Sequence, residues 1–335
     1  MAGSRLTLPV TVLYGLAIWM ISGVIQHDWW IQLGCHALAC YLMILFNNFY
    51  ALIRVYSRAI TSAFIILSGV ACFLFPSLEG GLVTIGFAAS LLTLFATYQN
   101  REATGWIYYT FLILGLASLA KVHLLVFIPV YWILMIFLSS LSLRTFIASL
   151  LGLLTPYWIG ITAVVLLYQD DLSLFTGHFM PLTEITFFTA YDSFPLSHYL
   201  TYAFLVILTV TGIIHFLRTS YNDKIRTRQF YYSIMFFDIV VLTLLPLFPQ
   251  YHDLLFRPAI ILTSPLIGHF IALTHTKITN IAFYVILITA LALTGFNLWT
   301  SSFIFWPSTV IGVCFWQPFW LAVSSPFPAR RSSSA

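Results

Sequence analysis

Residues 105–141, GWIYYTFLILGLASLAKVHLLVFIPVYWILMIFLSSL, decide the fold, and Lys121 is the single charged residue among them. As one helix this stretch would be about 55 Å long at 1.5 Å per residue, which exceeds the roughly 30 Å hydrocarbon core of a bilayer. Its one break is Lys121-Val122-His123. We therefore predict a helical hairpin in which two apolar helices meet at Lys121.

The rest of the chain has a similar composition. Hydrophobic residues make up 61% of the sequence and charged residues 7%, and the mean hydropathy is +0.97, whereas about a quarter of the residues in soluble domains are charged. Because hydrocarbon offers backbone groups no partners, only helices and closed barrels span membranes. The apolar runs have helix length and lack strand-like alternation, so they predict an all-α polytopic transmembrane bundle.

Twelve apolar runs have a length close to that of a membrane span. They cover residues 7–25, 30–53, 58–77, 80–98, 105–120, 123–141, 144–168, 198–217, 230–249, 254–275, 278–299 and 303–324. We predict a single transmembrane domain over residues 1–325, with short surface helices in the long outer loop 169–197. Residues 326–335 are predicted to form a disordered tail.

The lysines and arginines test this count, because they favour cytoplasmic loops. With twelve spans and a cytoplasmic N-terminus, every lysine and arginine except Lys121 and Arg257 falls on the cytoplasmic side. The count therefore predicts that both termini are cytoplasmic. The formal charge of +4 comes from residues scattered between the apolar runs, so it reflects the topology and does not indicate a nucleic-acid partner. We expect membrane lipids as partners.

Histidines and acids gather on the predicted outer face. His27-Asp28 and His252-Asp253 are adjacent pairs in two outer loops, and His123 follows Lys121. Mixed imidazole and carboxylate ligands suit a divalent metal ion or an acid–base pair. The alternative is that these are ordinary solvated loop residues.

Three charged residues lie in unusual places. Lys121 and Arg257 lie at the outer boundary, where a phosphate partner would explain them, and the alternative is that each extends toward the lipid headgroups. Asp238 lies mid-span, where an acid is costly unless it is paired or faces water. It is a functional candidate, or else a hydrogen-bonded structural acid.

Several segments, taken in chain order, resemble known enzymes. Residues 115–129, GLASLAKVHLLVFIP, resemble the helix–Lys–helix hairpin of the GT-C superfamily of polytopic glycosyltransferases, which use lipid-phosphate sugar donors. Residues 58–77, 156–158 and 257–267 resemble further spans of that superfamily in the same order.

The resemblance implies a bacterial inner-membrane enzyme with a polyprenyl-phosphate sugar as its partner and catalysis at the outer face. Asp28 would be the catalytic acid of the first outer loop, acting as a base toward the acceptor or as a metal ligand. Lys121 and Arg257 would bind the donor phosphate. The first outer loop departs from the superfamily pattern, because it is short and Asp28 is its one acid.

Other functions remain open from the sequence. The chain is also similar to an uncharacterised family of multi-pass membrane proteins from the Bacteroidetes. A transporter or lipid flippase would use Asp238 and proline-broken spans as its pathway, and a non-catalytic membrane scaffold is a third reading. The sequence contains no GxxxxGK[ST], HExxH or GxSxG motif that would decide among them.

Overall fold

The structure, a computed structural model, describes residues 6–55, 57–168, 177–180, 194–273 and 277–305. Helices dominate this part of the chain, and it contains no β-strand. In chain order they are α1 (Thr7–Ile21), α2 (Val24–His27), α3 (Trp30–Tyr50), α4 (Ala59–Val70), α5 (Leu78–Phe95), α6 (Thr104–Ala120), α7 (Ile128–Phe137), α8 (Leu143–Tyr168), α9 (Leu196–Thr219), α10 (Ile225–Leu247), α11 (His252–Leu273) and α12 (Lys277–Phe305).

Each of the first eleven predicted spans overlaps a helix, although the helices in 58–77 and 123–141, Ala59–Val70 and Ile128–Phe137, are shorter than the spans predicted there. Among the described residues, seven helices are long and apolar enough to cross a membrane, and α1, α4, α6 and Val122–Phe137 are shorter apolar helices. The described helices therefore fit a multi-pass membrane protein. Both termini and most of the loop 169–197 lie outside the described residues. The twelfth predicted span lies outside them as well, except for 303–305, which belong to α12.

The predicted hairpin at Lys121 is confirmed. Lys121 has extended backbone angles, with φ −141° and ψ 101°, and a 3-10 helix, Val122–Phe127, leads from it into α7. The backbone N–H of Gln99, just after α5, donates to the carbonyl oxygen of Leu138, just after α7, at 2.8 Å. The chain has thus returned to the end of the bundle from which α6 starts.

Helix α11 forms the centre of the bundle. Nearly all of its residues are buried, and it packs against α4, α5, α9 and α10. A Cβ atom at Gly268 would lie 3.0 Å from the backbone of Ile60 in α4, and one at Gly212 in α9 would lie 2.8 Å from Leu266. Such small residues let membrane helices approach closely. By contrast, few residues of α3 and α12 are buried, as is typical of lipid-facing helices.

The bundle has two chemically different ends. We call them the Lys121 end, where Lys121 pairs with Glu79, and the Asp223 end, where Asp223 pairs with His269. In the described chain, every lysine and arginine except Lys121 and Arg257 lies toward the Asp223 end, as the helix order shows. The predicted segregation of charge is therefore present. That the Asp223 end faces the cytoplasm stays a prediction.

Candidate functional site

A cavity of about 510 Å³ lies at the Lys121 end. We call it the Lys121 cavity, and the side chains around it include those of Glu79, Lys121, His123, His178, Tyr251 and Asp253. The sequence had singled out Lys121 and His123 in one loop and Asp253 in another, and the fold brings the two loops together. A second, smaller cavity of about 40 Å³ lies beside Arg257 and His36.

Lys121 and Glu79 form an ion pair at the edge of the Lys121 cavity. Lys121 follows the last residue of α6 and Glu79 lies in the first turn of α5, so each charge complements the partial charge of its own helix end. Lys121 Nζ lies 2.7 Å from Glu79 Oε2, and the side chains are 37% and 60% exposed. Exposed pairs of this kind are worth at most about 1 kcal/mol, so another anion can replace Glu79.

Arg257 and Asp253 form the second ion pair, one turn apart on α11. Arg257 Nη2 lies 2.8 Å from Asp253 Oδ1, and the arginine side chain is 9% exposed. The guanidinium also donates to the carbonyl oxygen of Leu74 and, at 3.4 Å, to Thr84 Oγ1. Most of its donors are therefore committed within the protein. The Arg257 guanidinium therefore links α11 to α5 and to the 3-10 turn after α4.

The first turn of α5 packs closely against the Arg257–Asp253 pair. Ser77 caps the helix by accepting the backbone N–H of Gly80 at 3.0 Å, and its hydroxyl donates to Asp253 Oδ2 at 3.2 Å. A Cβ atom at Gly80 would lie only 2.3 Å from the guanidinium of Arg257. Glycine is therefore needed here, because the guanidinium lies directly against the helix that carries Glu79.

The histidines of the Lys121 end fall into separate groups. His123 packs on Tyr251 with ring centroids 4.0 Å apart, and His252 packs on His198 at 4.7 Å. The ring of His252 also lies 3.2 Å from the carbonyl oxygen of Pro249. Among the described residues, no three His, Cys, Asp or Glu side chains are grouped so that they could hold a metal ion. The possible divalent ion therefore has no ligand set in this part of the chain.

Asp28 lies apart from the Lys121 cavity. It follows the short helix α2 in a left-handed conformation, with φ 55°, and is exposed, and it is not among the residues that line the cavity. His27 beside it packs on Trp29 at 4.9 Å. Among the described residues, the carboxylates that line the cavity with Lys121 are Glu79 and Asp253. The catalytic role of Asp28 stays a prediction.

Asp238 is buried at the junction of three helices. Its carboxylate accepts hydrogen bonds from Thr209 of α9 at 2.7 Å and from Thr263 of α11 at 3.2 Å. It does not line the Lys121 cavity. These contacts fit the structural alternative, in which a satisfied acid joins neighbouring helices.

Two features of the structure were not selected from the sequence. Glu79 comes directly before a predicted span on the same outer face as Lys121, which is one of the two bases that break the charge rule. This shared position was the signal that could have marked Glu79 as a partner of Lys121. At the other end, Asp223 Oδ2 lies 3.1 Å from His269 Nε2, and both side chains are buried. A histidine inside an apolar run is itself unusual, so His269 could have been noted as a residue in need of a partner.

No protein-family model, curated protein or solved structure matches this chain. The resemblance to the GT-C superfamily therefore stays a prediction.

Proposed function

We propose that this chain is a multi-pass protein of the bacterial inner membrane that binds a lipid-linked phosphate in the Lys121 cavity and transfers a sugar from it, as GT-C glycosyltransferases do. The observation that carries the proposal is the exposed Lys121 ammonium at a cavity of about 510 Å³, paired with the exposed carboxylate of Glu79. The Lys121 end would be the outer face, because the end rich in lysine and arginine favours the cytoplasm.

In this proposal the phosphate takes the place of Glu79 on Lys121. Hydrogen bonds between an ammonium and a phosphate oxygen are charge-assisted and stronger than neutral ones. His123 lies two residues further along the chain, at the same cavity. Arg257 takes no part in this binding, because it does not line the cavity and most of its donors are committed to Asp253, Leu74 and Thr84. It holds the first turn of α5 in place.

The transfer step breaks the bond between the anomeric carbon of the sugar and the phosphate oxygen. The electron pair of that bond stays on the phosphate oxygen, where the Lys121 ammonium stabilises the added negative charge. The acceptor hydroxyl oxygen forms the new bond to the anomeric carbon. Its proton passes to the carboxylate of Glu79, which is free once the phosphate has displaced it from Lys121.

The test is the binding of undecaprenyl phosphate to the purified full chain in lipid nanodiscs. Lys121→Ala should weaken binding at least about tenfold, which corresponds to about 1.4 kcal/mol, and its melting temperature should stay close to that of the wild type. Lys224→Ala is the matched control, because this exposed lysine lies at the Asp223 end. Equal binding by the two variants would contradict the proposal.

A further inference from the structure

The Lys121 cavity has to hold a sugar as well as a phosphate. In a lipid-phosphate sugar the anomeric carbon is joined directly to a phosphate oxygen, so a phosphate at Lys121 brings the sugar into the cavity beside it. Sugar hydroxyls that leave water there need hydrogen-bond partners from the cavity wall. A side chain that serves them must line the cavity and keep a polar group that other residues do not occupy.

Several polar groups of the wall are already engaged. Both carboxylate oxygens of Asp253 accept hydrogen bonds, one from the Arg257 guanidinium and the other from a serine hydroxyl. His178 Nε2 is shut off from solvent, so a ligand in the cavity does not reach it. Glu79 is paired with Lys121, and in the proposed function it takes the proton of the acceptor. None of these groups is left for the hydroxyls of the sugar.

Tyr251 meets both requirements. It ends the 3-10 turn Pro249–Tyr251 that leads into α11, and it lines the Lys121 cavity. Its ring packs on that of His123, two residues after Lys121, with the ring centroids 4.0 Å apart. Within the described part of the chain, the Tyr251 hydroxyl has no hydrogen-bond partner and is not shut off from solvent. A phenol hydroxyl is therefore available close to the residue that binds the phosphate.

The ring contact with His123 holds this hydroxyl in position. A tyrosine side chain has two torsions, so it presents a large contact at a low cost in conformational entropy, and packing on a neighbouring ring restricts it further. The hydroxyl can both donate and accept a hydrogen bond, as the hydroxyls of a sugar do. Because little freedom remains to be lost on binding, more of the hydrogen-bond energy appears as affinity.

We propose that Tyr251 is the sugar-binding residue of the Lys121 cavity, where its hydroxyl hydrogen-bonds a hydroxyl of the sugar while Lys121 binds the phosphate. The inference rests on the proposed function, since it presupposes a lipid-phosphate sugar at Lys121. It adds the residue that distinguishes a sugar from other groups on the phosphate. A lipid whose phosphate carries only an alkyl group gains nothing from Tyr251.

The experiment compares undecaprenyl phosphates that carry glucose, mannose or galactose with undecaprenyl methyl phosphate. All are phosphodiesters with one negative charge, so Lys121 and Glu79 affect them equally and the ratio of two affinities reports the sugar alone. Binding is measured with the full chain in nanodiscs of neutral lipid. The wild type should prefer at least one sugar lipid to the methyl lipid by about fivefold or more, as one well-placed hydrogen bond gives.

Tyr251→Phe should lower this preference by about threefold or more, because it removes the hydroxyl and keeps the ring. Its affinity for the methyl lipid should stay at the wild-type value, which a general disturbance of the cavity would not allow. Tyr221→Phe is the matched control, because this tyrosine is 77% exposed and lies at the Asp223 end. It should keep the wild-type preference.

The outcomes separate this inference from the function on which it rests. If Lys121→Ala abolishes binding of both kinds of lipid but Tyr251→Phe leaves the preference unchanged, the phosphate site stands and the role of Tyr251 is refuted. The same conclusion follows if the wild type prefers none of the three sugar lipids. If both kinds of lipid bind equally well to the wild type and to Lys121→Ala, both proposals are refuted.

Discussion

The two ion pairs of the Lys121 end have the same chemistry and nearly the same length, 2.7 Å for Lys121–Glu79 and 2.8 Å for Arg257–Asp253. They differ in burial and in the number of other partners. The lysine pair joins two helix ends and is exposed to solvent, whereas the arginine is buried and also bonds to Leu74 and Thr84. From sequence alone both bases were candidates for phosphate binding or for extension toward the headgroups, and the fold gives them different surroundings.

Burial determines how easily a ligand could replace one partner of each pair. An exposed pair contributes little stability because water and salt compete with it, so a ligand can replace one partner at little cost. In a buried pair, the removal of one partner leaves an uncompensated charge away from water. A ligand that pulled Arg257 from Asp253 would meet this penalty as well as the loss of the other hydrogen bonds. Of the two bases, Lys121 is therefore the one whose partner a ligand could replace at the lower cost.

The largest expected effect comes from Arg257→Leu. This change removes the guanidinium and leaves Asp253 with Ser77 as its remaining described hydrogen-bond partner. The free energy of unfolding should fall by about 3 kcal/mol, the lower end of the range for a broken buried pair, because Asp253 is partly exposed. Unfolding by sodium dodecyl sulfate in mixed micelles measures it.

The double variant Arg257→Leu, Asp253→Leu sharpens this prediction. It removes both charges, so it should recover part of the lost stability, as replacements of buried pairs by apolar residues do. If Arg257→Leu were no more destabilised than Lys121→Ala, the distinction between the two pairs would be wrong.

A smaller effect is expected from Gly80→Ala. The new methyl group would meet the Arg257 guanidinium at 2.3 Å, and overpacking of this kind costs about 1–3 kcal/mol. Gly105→Ala is the matched control, because Gly105 also lies in the first turn of an apolar helix and a Cβ there meets nothing within 4 Å. The same detergent titration compares the two variants, and equal stability would show that Arg257 does not lie against α5.

Much of the fold could be predicted from the sequence, because hydrocarbon imposes simple rules. Apolar runs located the helices, the length of 105–141 required a reversal at Lys121, and the segregation of lysine and arginine gave the bundle two different ends. These inferences use only local composition and helix length. None of them requires knowledge of which helices are neighbours.

The candidate site depends on such neighbours, so it could be predicted only in part. Lys121 and Asp253 were noted, but Glu79 was passed over, because its pairing with Lys121 joins two helix ends far apart in the chain. Asp28 was preferred from a resemblance, and the fold leaves it outside the Lys121 cavity. The buried Asp223–His269 pair was missed because, like the Lys121–Glu79 pair, it joins residues that are far apart in the chain.

The central claim is that a lipid phosphate binds in the Lys121 cavity, and photo-crosslinking tests it most directly. A phosphatidic acid analogue with a diazirine next to its phosphate is bound to the full chain in nanodiscs and irradiated, and the labelled peptides are mapped by mass spectrometry. Labels should concentrate in residues 119–123 and 249–254, and excess undecaprenyl phosphate should suppress them. Labels concentrated at the Asp223 end, or unaffected by the competitor, would contradict the claim.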